Sequence, residues 1–230
     1  MKSFTLRSDT VTHTELEFHC CCCFLQVLKA LEEAGIPVDM VGGTSMGAFI
    51  SGLYAMVDDS YHQLQTRSRL TRLCRAFSND MSSIWNKVME LTIPFTSYFT
   101  GTRFNHGISS IFEGTKIEDL WLPYFCVTTD LTESRERVHE NGSLWRYVRA
   151  SMTLTGYLPP LCDKDRSPQP DGKEGKCHLL VDGGYMNNLP TDVMWRVKRP
   201  STVIAVDVGG TFLPSWAHIH APLVLGFITW

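Results

Sequence analysis

Two short stretches carry residues that could do covalent chemistry. Gly43-Thr44-Ser45-Met46-Gly47 sets a serine between two glycines, and Val181-Asp182-Gly183-Gly184 ends an apolar run in a carboxylate followed by two more. A serine hydroxyl becomes a useful nucleophile when a base takes its proton and its oxygen stands clear of the backbone. Gly43 and Gly47 meet the steric half of that demand. With no side chains at those positions the chain can turn sharply and let Ser45 Oγ project, the form of a nucleophile elbow. A helix opening directly after the turn would aim its first N–H groups at the reacting centre and favour developing negative charge. A Gly-rich turn without chemistry is the plainer reading, and the position of these residues between strand and helix patterns weighs against it.

The serine needs a base. Asp182 is the best-formed candidate, because ligands in parallel sheets gather at the carboxyl ends of strands, where Ser45 would also lie. On pattern alone Asp182 could equally be a turn former. Asp207, at the end of the Val203–Val208 run, competes on the same logic.

The elements that must position these groups are legible in outline. From Phe24 to Ala34 apolar residues recur at spacings of three and four, with Lys29, Glu32 and Glu33 facing out, which predicts an amphipathic helix capped by Gly35. Ile36–Val41 follows as a short strand. Met46 to Val57 holds no charged residue and reads as a helix buried on most sides, with Ala48, Gly52 and Ala55 forming a stripe that lets it lie close to a sheet. Further strands are expected at Phe125–Thr129, Leu179–Val181 and Thr202–Val208. Helical pattern separates several of them, so the expected class is α/β with a mainly parallel central sheet. Asp163–Lys176, polar with two prolines and two glycines, should be an exposed, mobile loop.

Composition excludes several classes. The 230 residues fit one large domain, and 21 basic against 24 acidic residues leave a formal charge of −3, so no overall positive field exists to hold nucleic acid. No run of 18 apolar residues could span a bilayer, which makes any membrane contact peripheral. The eight cysteines do not resemble a disulfide framework: Cys20–Cys23 are contiguous, and Cys74, Cys126, Cys162 and Cys177 are scattered. Four adjacent thiols cannot easily converge on one tetrahedral ion, so no metal is expected. The first residues lack an apolar signal region, so a reducing compartment is expected. His218 and His220 fit a structural role better than a ligand pair. Six aromatics between Phe77 and Phe104 suit an acyl channel or ordinary core, and Arg67, Arg69, Arg72 and Arg75 suit phosphate head groups or a solvated helix face.

These motifs carry a resemblance. GTSMG after VLKALEEAGIPVDMVG, together with VDGGYMNNLP, LWRYVRASMTLTGYLPPLC and VIAVDVG, is similar to the patatin-like phospholipase family over roughly Val27–Val208. Within that family the likeness is to its neuropathy target esterase branch, whose members act as lysophospholipases. The resemblance implies a three-layer α/β domain and a Ser45–Asp182 dyad. Ser45 would attack an acyl ester of a lysophospholipid or phospholipid, and Asp182 would be the base. Gly43, Gly47, Gly183 and Gly184 would be the motif glycines, and no cofactor is needed.

The family also places a first strand and a glycine-rich oxyanion loop before the helix at Phe24. Here no glycine occurs before Gly35, and Glu17–Cys23 stands in that place. The expected organisation is therefore a divergent segment 1–23, a patatin-like domain 24–208 and a divergent tail 209–230, as in a variant with replaced ends and impaired catalysis. Analogy to the relatives puts the chain on the cytoplasmic side, at the endoplasmic reticulum membrane. Two rivals remain: an α/β-hydrolase triad of Ser45, Asp182 and His218 or His220, and a non-catalytic lipid- or partner-binding variant.

Overall fold

The computed structural model describes residues 24–57, 72, 97, 100–164, 176–207 and 224–229. Its helix α1 (24–33) buries Phe24, Leu28 and Leu31 and carries the exposed Lys29–Glu33 ion pair at 3.6 Å. The helix stops where the sequence indicates. Gly35 takes φ 67°, the Gly35 N–H donates to Glu32 O at 3.0 Å, and the Ile36 N–H donates to Leu31 O at 2.9 Å, the paired bonds of a Schellman cap.

Strand β1 (Met40–Thr44) begins four residues later than the Ile36–Val41 expectation and runs through both glycines of Gly42-Gly43. Pro37 offers no N–H to a ladder, and Gly42 is held in the strand by a close neighbour. A Cβ on Gly42 would lie 2.4 Å from the Phe125 ring, so this position excludes a side chain. Helix α2 (Met46–Ala55) then follows without a loop and is buried along nearly its whole length.

The remaining elements are α3 (Thr102–Phe112), β2 (Tyr124–Asp130), β3 (Arg135–His139), α4 (Leu144–Ser151), β4 (Leu161–Lys164), β5 (Cys177–Asp182), α5 (Thr191–Lys198), β6 (Val203–Asp207) and β7 (Val224–Thr229). The seven strands form one sheet, connected β4-β5-β2-β1-β7-β6 with β3 also on β2. Alternation along the strands divides the core into two. Val41, Tyr124 and Cys126 face α1–α4, where Phe49 and Phe112 meet edge to face at 5.7 Å. Met40, Phe125 and Val127 face the opposite way onto Val193 and Met194 of α5. The result is three layers, helices on both faces of a sheet.

The α/β class is as expected, but the sheet is mixed rather than mainly parallel. Only β1 and β2 run parallel among the described strands, and the other five pairings are antiparallel. The reason is connectivity. β2 and β3 are joined by a four-residue turn, too short for a parallel crossover, and β4 pairs back on β5. β7 pairs antiparallel with both β1 and β6, giving the expected divergent tail a strand in the sheet.

Two smaller expectations are corrected. Asp163 and Lys164 belong to β4, so the polar connection starts after them, and residues 165–175 lie outside the described residues. Cys162 and Cys177 form a disulfide with Cα atoms 5.8 Å apart, because antiparallel β4 and β5 bring together two cysteines that look scattered in sequence. Segments 1–23 and 208–223, with Glu17–Cys23, His218 and His220, also lie outside, as do Arg67, Arg69, Arg75 and the aromatics Phe77, Trp85, Phe95, Tyr98 and Phe99. Of the features singled out there, Arg72 is exposed and Phe104 is buried in the core.

Candidate active site

The site sits where one edge of β2 changes partner. β3 lines one edge of β2 from Cys126 to Asp130. The opposite edge is shared: β1 pairs along it as far as Thr44↔Val127, and β5 takes over at Asp182↔Thr128. β1 runs parallel to β2 and β5 runs against it, so their carboxyl ends converge on this fork. Ser45 follows the last residue of β1, and Asp182 is the last residue of β5. Two residues 137 positions apart in sequence are thereby brought into contact.

Ser45 Oγ donates to Asp182 Oδ2 at 2.7 Å. Ser45 itself has φ 53° and ψ −123°, a conformation sparsely populated by residues with a side chain. Such backbone strain costs on the order of 1–3 kcal/mol and persists only where the surroundings over-determine it. Several contacts do so. The Ser45 N–H donates to Ser151 Oγ at 2.8 Å, the Ser45 carbonyl starts the α2 ladder by accepting from the Phe49 N–H, and Thr44 Oγ1 donates to Asn187 O at 2.9 Å. Gly43 is buried in β1 and Gly47 in the first turn of α2, as the elbow form requires. The peptide dipoles of α2 therefore end at the serine.

Asp182 is held as tightly. Its Oδ1 accepts from the Gly184 N–H at 2.8 Å, and its backbone N–H donates to Thr153 O at 2.9 Å. Gly183 is an obligatory glycine: a Cβ there would lie 2.3 Å from the Val127 carbonyl oxygen, a backbone atom that cannot step aside. Burial pushes the Asp182 carboxyl up to about 6, while the Gly184 N–H and the Ser45 hydroxyl pull the other way. A carboxylate so placed is a base poised near neutral pH. Asp207, the competing acid, is exposed at the end of β6, and β7 separates that strand from β1.

The described histidines on the sheet are engaged away from Ser45. His139 Nε2 contacts Thr128 Oγ1 at 2.7 Å, and burial foremost, with Arg137 adding to it, pushes its pKa down to about 3. His178 Nδ1 meets Asp130 Oδ2 at 2.6 Å. Asp130, Glu133 and His178 offer donor atoms within 4.8 Å of one another. Lys176 at 3.0 Å and Arg135 at 2.6 Å already neutralise Glu133, however, so the group is an ion-pair cluster.

Two residues of the LWRYVRASM stretch went unassigned in the sequence. Ser151 is fully buried against the elbow. Arg149 is buried too, donating from Nε to Asn105 Oδ1 at 2.7 Å and from Nη1 to Thr153 Oγ1 at 3.3 Å, which ties α3 to the segment holding the Asp182 N–H. An arginine and a serine two apart on a short helix carry no local signal of either contact.

A three-layer α/β scaffold with a serine at a strained strand-to-helix turn, hydrogen-bonded to a buried carboxylate, has the layout of a serine hydrolase. The model of the patatin-like phospholipase family matches residues 21–195. The chain is 55% identical over 188 residues to patatin-like phospholipase domain-containing protein 6 of Mus musculus. It is 49% identical over 183 residues to neuropathy target esterase sws of Drosophila melanogaster, and 47% identical over 188 residues to lysophospholipase NTE1 of Mycosarcoma maydis. These alignments take in 82%, 80% and 82% of this chain but 12%, 12% and 9% of those relatives, so the chain spans a small part of their length. The chain belongs to the patatin-like phospholipase family.

Proposed function

We propose that this chain is a serine lipid esterase acting on lysophospholipids through a Ser45–Asp182 dyad. The observation that carries this reading is the 2.7 Å hydrogen bond from Ser45 Oγ to Asp182 Oδ2 at the end of a strained elbow. Ser45 Oγ attacks the ester carbonyl and its proton passes to Asp182 Oδ2. Asp182 returns that proton to the departing glycerol oxygen, leaving an acyl-serine. Water then attacks the acyl carbonyl as Asp182 takes its proton, the acyl–Oγ bond breaks, Asp182 returns that proton to Ser45 Oγ, and the fatty acid leaves. No step calls on a metal or cofactor. The names borne by the relatives, a neuropathy target esterase and a lysophospholipase, support the substrate class.

In this reading residues 24–208, with β7 of the tail completing the sheet, form the working unit, which meets a lipid surface peripherally at the endoplasmic reticulum. No helix among the described residues is long and apolar enough to cross a membrane. Turnover is slow. No glycine precedes Gly35 to supply a flexible oxyanion-donor loop. Loss of one oxyanion donor costs about 10²–10³ in rate. Hydrolysis of lysophosphatidylcholine by the purified chain and by Ser45→Ala tests the proposal. Fatty-acid release that vanishes in the variant is expected; equal release by both proteins refutes the dyad.

A further inference from the structure

The fork in the sheet leaves one backbone carbonyl in an unusual position. Val127 is the last residue of β2 to pair with β1, and the next residue pairs with β5. Its carbonyl oxygen meets both halves of the site. On one side it accepts from Ser151 Oγ at 2.6 Å; on the other it faces Gly183, where a Cβ would lie 2.3 Å away. The Ser151 hydroxyl has a single proton, and the Val127 carbonyl takes it, so its lone pairs are left to accept. They accept the Ser45 N–H at 2.8 Å. Carbonyl, hydroxyl and amide thus form a chain from the sheet to the nucleophile, fully buried at Val127 and Ser151 and part-buried at Ser45.

We infer that Ser151 is a positioning residue for the nucleophile, gauging Ser45 against the same carbonyl that Gly183 gauges for Asp182. This rests on the Ser45–Asp182 reading and adds to it. Both catalytic groups would take their spacing from one atom of β2, and Ser151 is the adjustable half of that arrangement. Without its oxygen the Ser45 N–H and the Val127 carbonyl lose their shared partner in a buried setting, and the strained φ/ψ of Ser45 loses one of the contacts that hold it. Ser151 touches no reacting atom. Its effect is on the aim of Ser45 Oγ and hence on kcat, while substrate contacts that set KM are elsewhere.

Ser151→Ala and Ser151→Cys, assayed on lysophosphatidylcholine beside amide hydrogen exchange of Ser45, test this. Expected for Ser151→Ala is a kcat loss of roughly 10²-fold with KM within about two- to threefold, as for a reacting group displaced by an ångström. The Ser45 amide, protected in the parent chain, should exchange at least about tenfold faster. Ser151→Cys keeps the side-chain shape with a larger and poorer acceptor, and is expected to fold and lose kcat in the same sense. A folded variant of either kind with parental kcat overturns the inference. So does a Ser45 amide that is unprotected in the parent chain, a measurement that needs no variant to fold. If the parent chain hydrolyses nothing, the lysophospholipase proposal fails; Ser45 protection lost in Ser151→Ala would still uphold the positioning role.

Discussion

Asp182 and Asp130 are both buried and sit on the same pair of strands, one opposite Thr128 and the other two residues further along β2 opposite Leu180. Their surroundings drive them apart. Burial dominates at Asp182, whose partners are one backbone N–H and one hydroxyl, and lifts its carboxyl to about 6. Burial pushes Asp130 the same way, but the His178 hydrogen bond and the N–H groups of Thr132 and Glu133 outweigh it and hold that carboxyl below the usual range. One acid is left able to take up a proton near neutral pH and the other is held ionised. Both side chains are closed off from solvent, but Asp182 lies far deeper in the protein, so the difference comes from depth as well as from the number and charge of the hydrogen-bond partners.

Exchanging each acid for its amide sharpens that comparison. Asp182→Asn should cut hydrolysis by about 10²–10⁴, the usual worth of a positioned base, when kcat is measured at pH 8. The same variant should melt higher than the parent at that pH. A folded pKa raised from 3.8 to about 6 means that the fold prefers the protonated acid. Its stability falls as pH rises from about 4 to about 6, by up to about 3 kcal/mol, and the amide escapes this loss. The gap in melting temperature should close below pH 4. A destabilised Asp182→Asn at pH 8 would contradict the assignment.

Gly183→Ala should abolish most activity and cost about 1–3 kcal/mol in a denaturant titration, since the new methyl meets the Val127 carbonyl. Asp130→Asn should do the reverse of Asp182→Asn, losing about 2 kcal/mol at neutral pH with kcat nearly unchanged. Because the Asp130 pKa is depressed, its contribution is present above the ordinary carboxylate value and fades as pH falls through the folded one. The parent and this variant should therefore converge in acid. The mildest effect is a pH profile: kcat/KM should decline below about pH 6 as Asp182 takes up a proton, with Asp130 contributing no limb there.

What the sequence disclosed and what it hid divide along a physical line. Steric demands that are local are written as glycine, so the elbow around Ser45 and the Gly35 cap could be read directly, whereas the Gly183 contact with Val127 could not. The β2–β3 hairpin carries no such mark, because Ser134 occupies the left-handed position at φ 51° where a glycine would have announced the turn. Strand direction was hidden too, since β5 against β2 and β7 against β1 depend on register between distant segments. Helical pattern between strands suggested repeated parallel crossovers, whereas among the described strands only β1 to β2 makes one. The fork at Val127, which sets the distance from Ser45 to Asp182, follows from that register and from no single motif. Ser151 was invisible for the same reason: its partners lie 106 and 24 residues away.

The most direct test of the central claim, that Ser45 is an exposed nucleophile activated by Asp182, is labelling with a fluorophosphonate followed by peptide mapping. The expected result is a single adduct on Ser45 at pH 8, forming far more slowly in Asp182→Asn and slowing in the parent chain below about pH 6. Absence of an adduct on Ser45, or labelling that proceeds equally fast in Asp182→Asn, would contradict it.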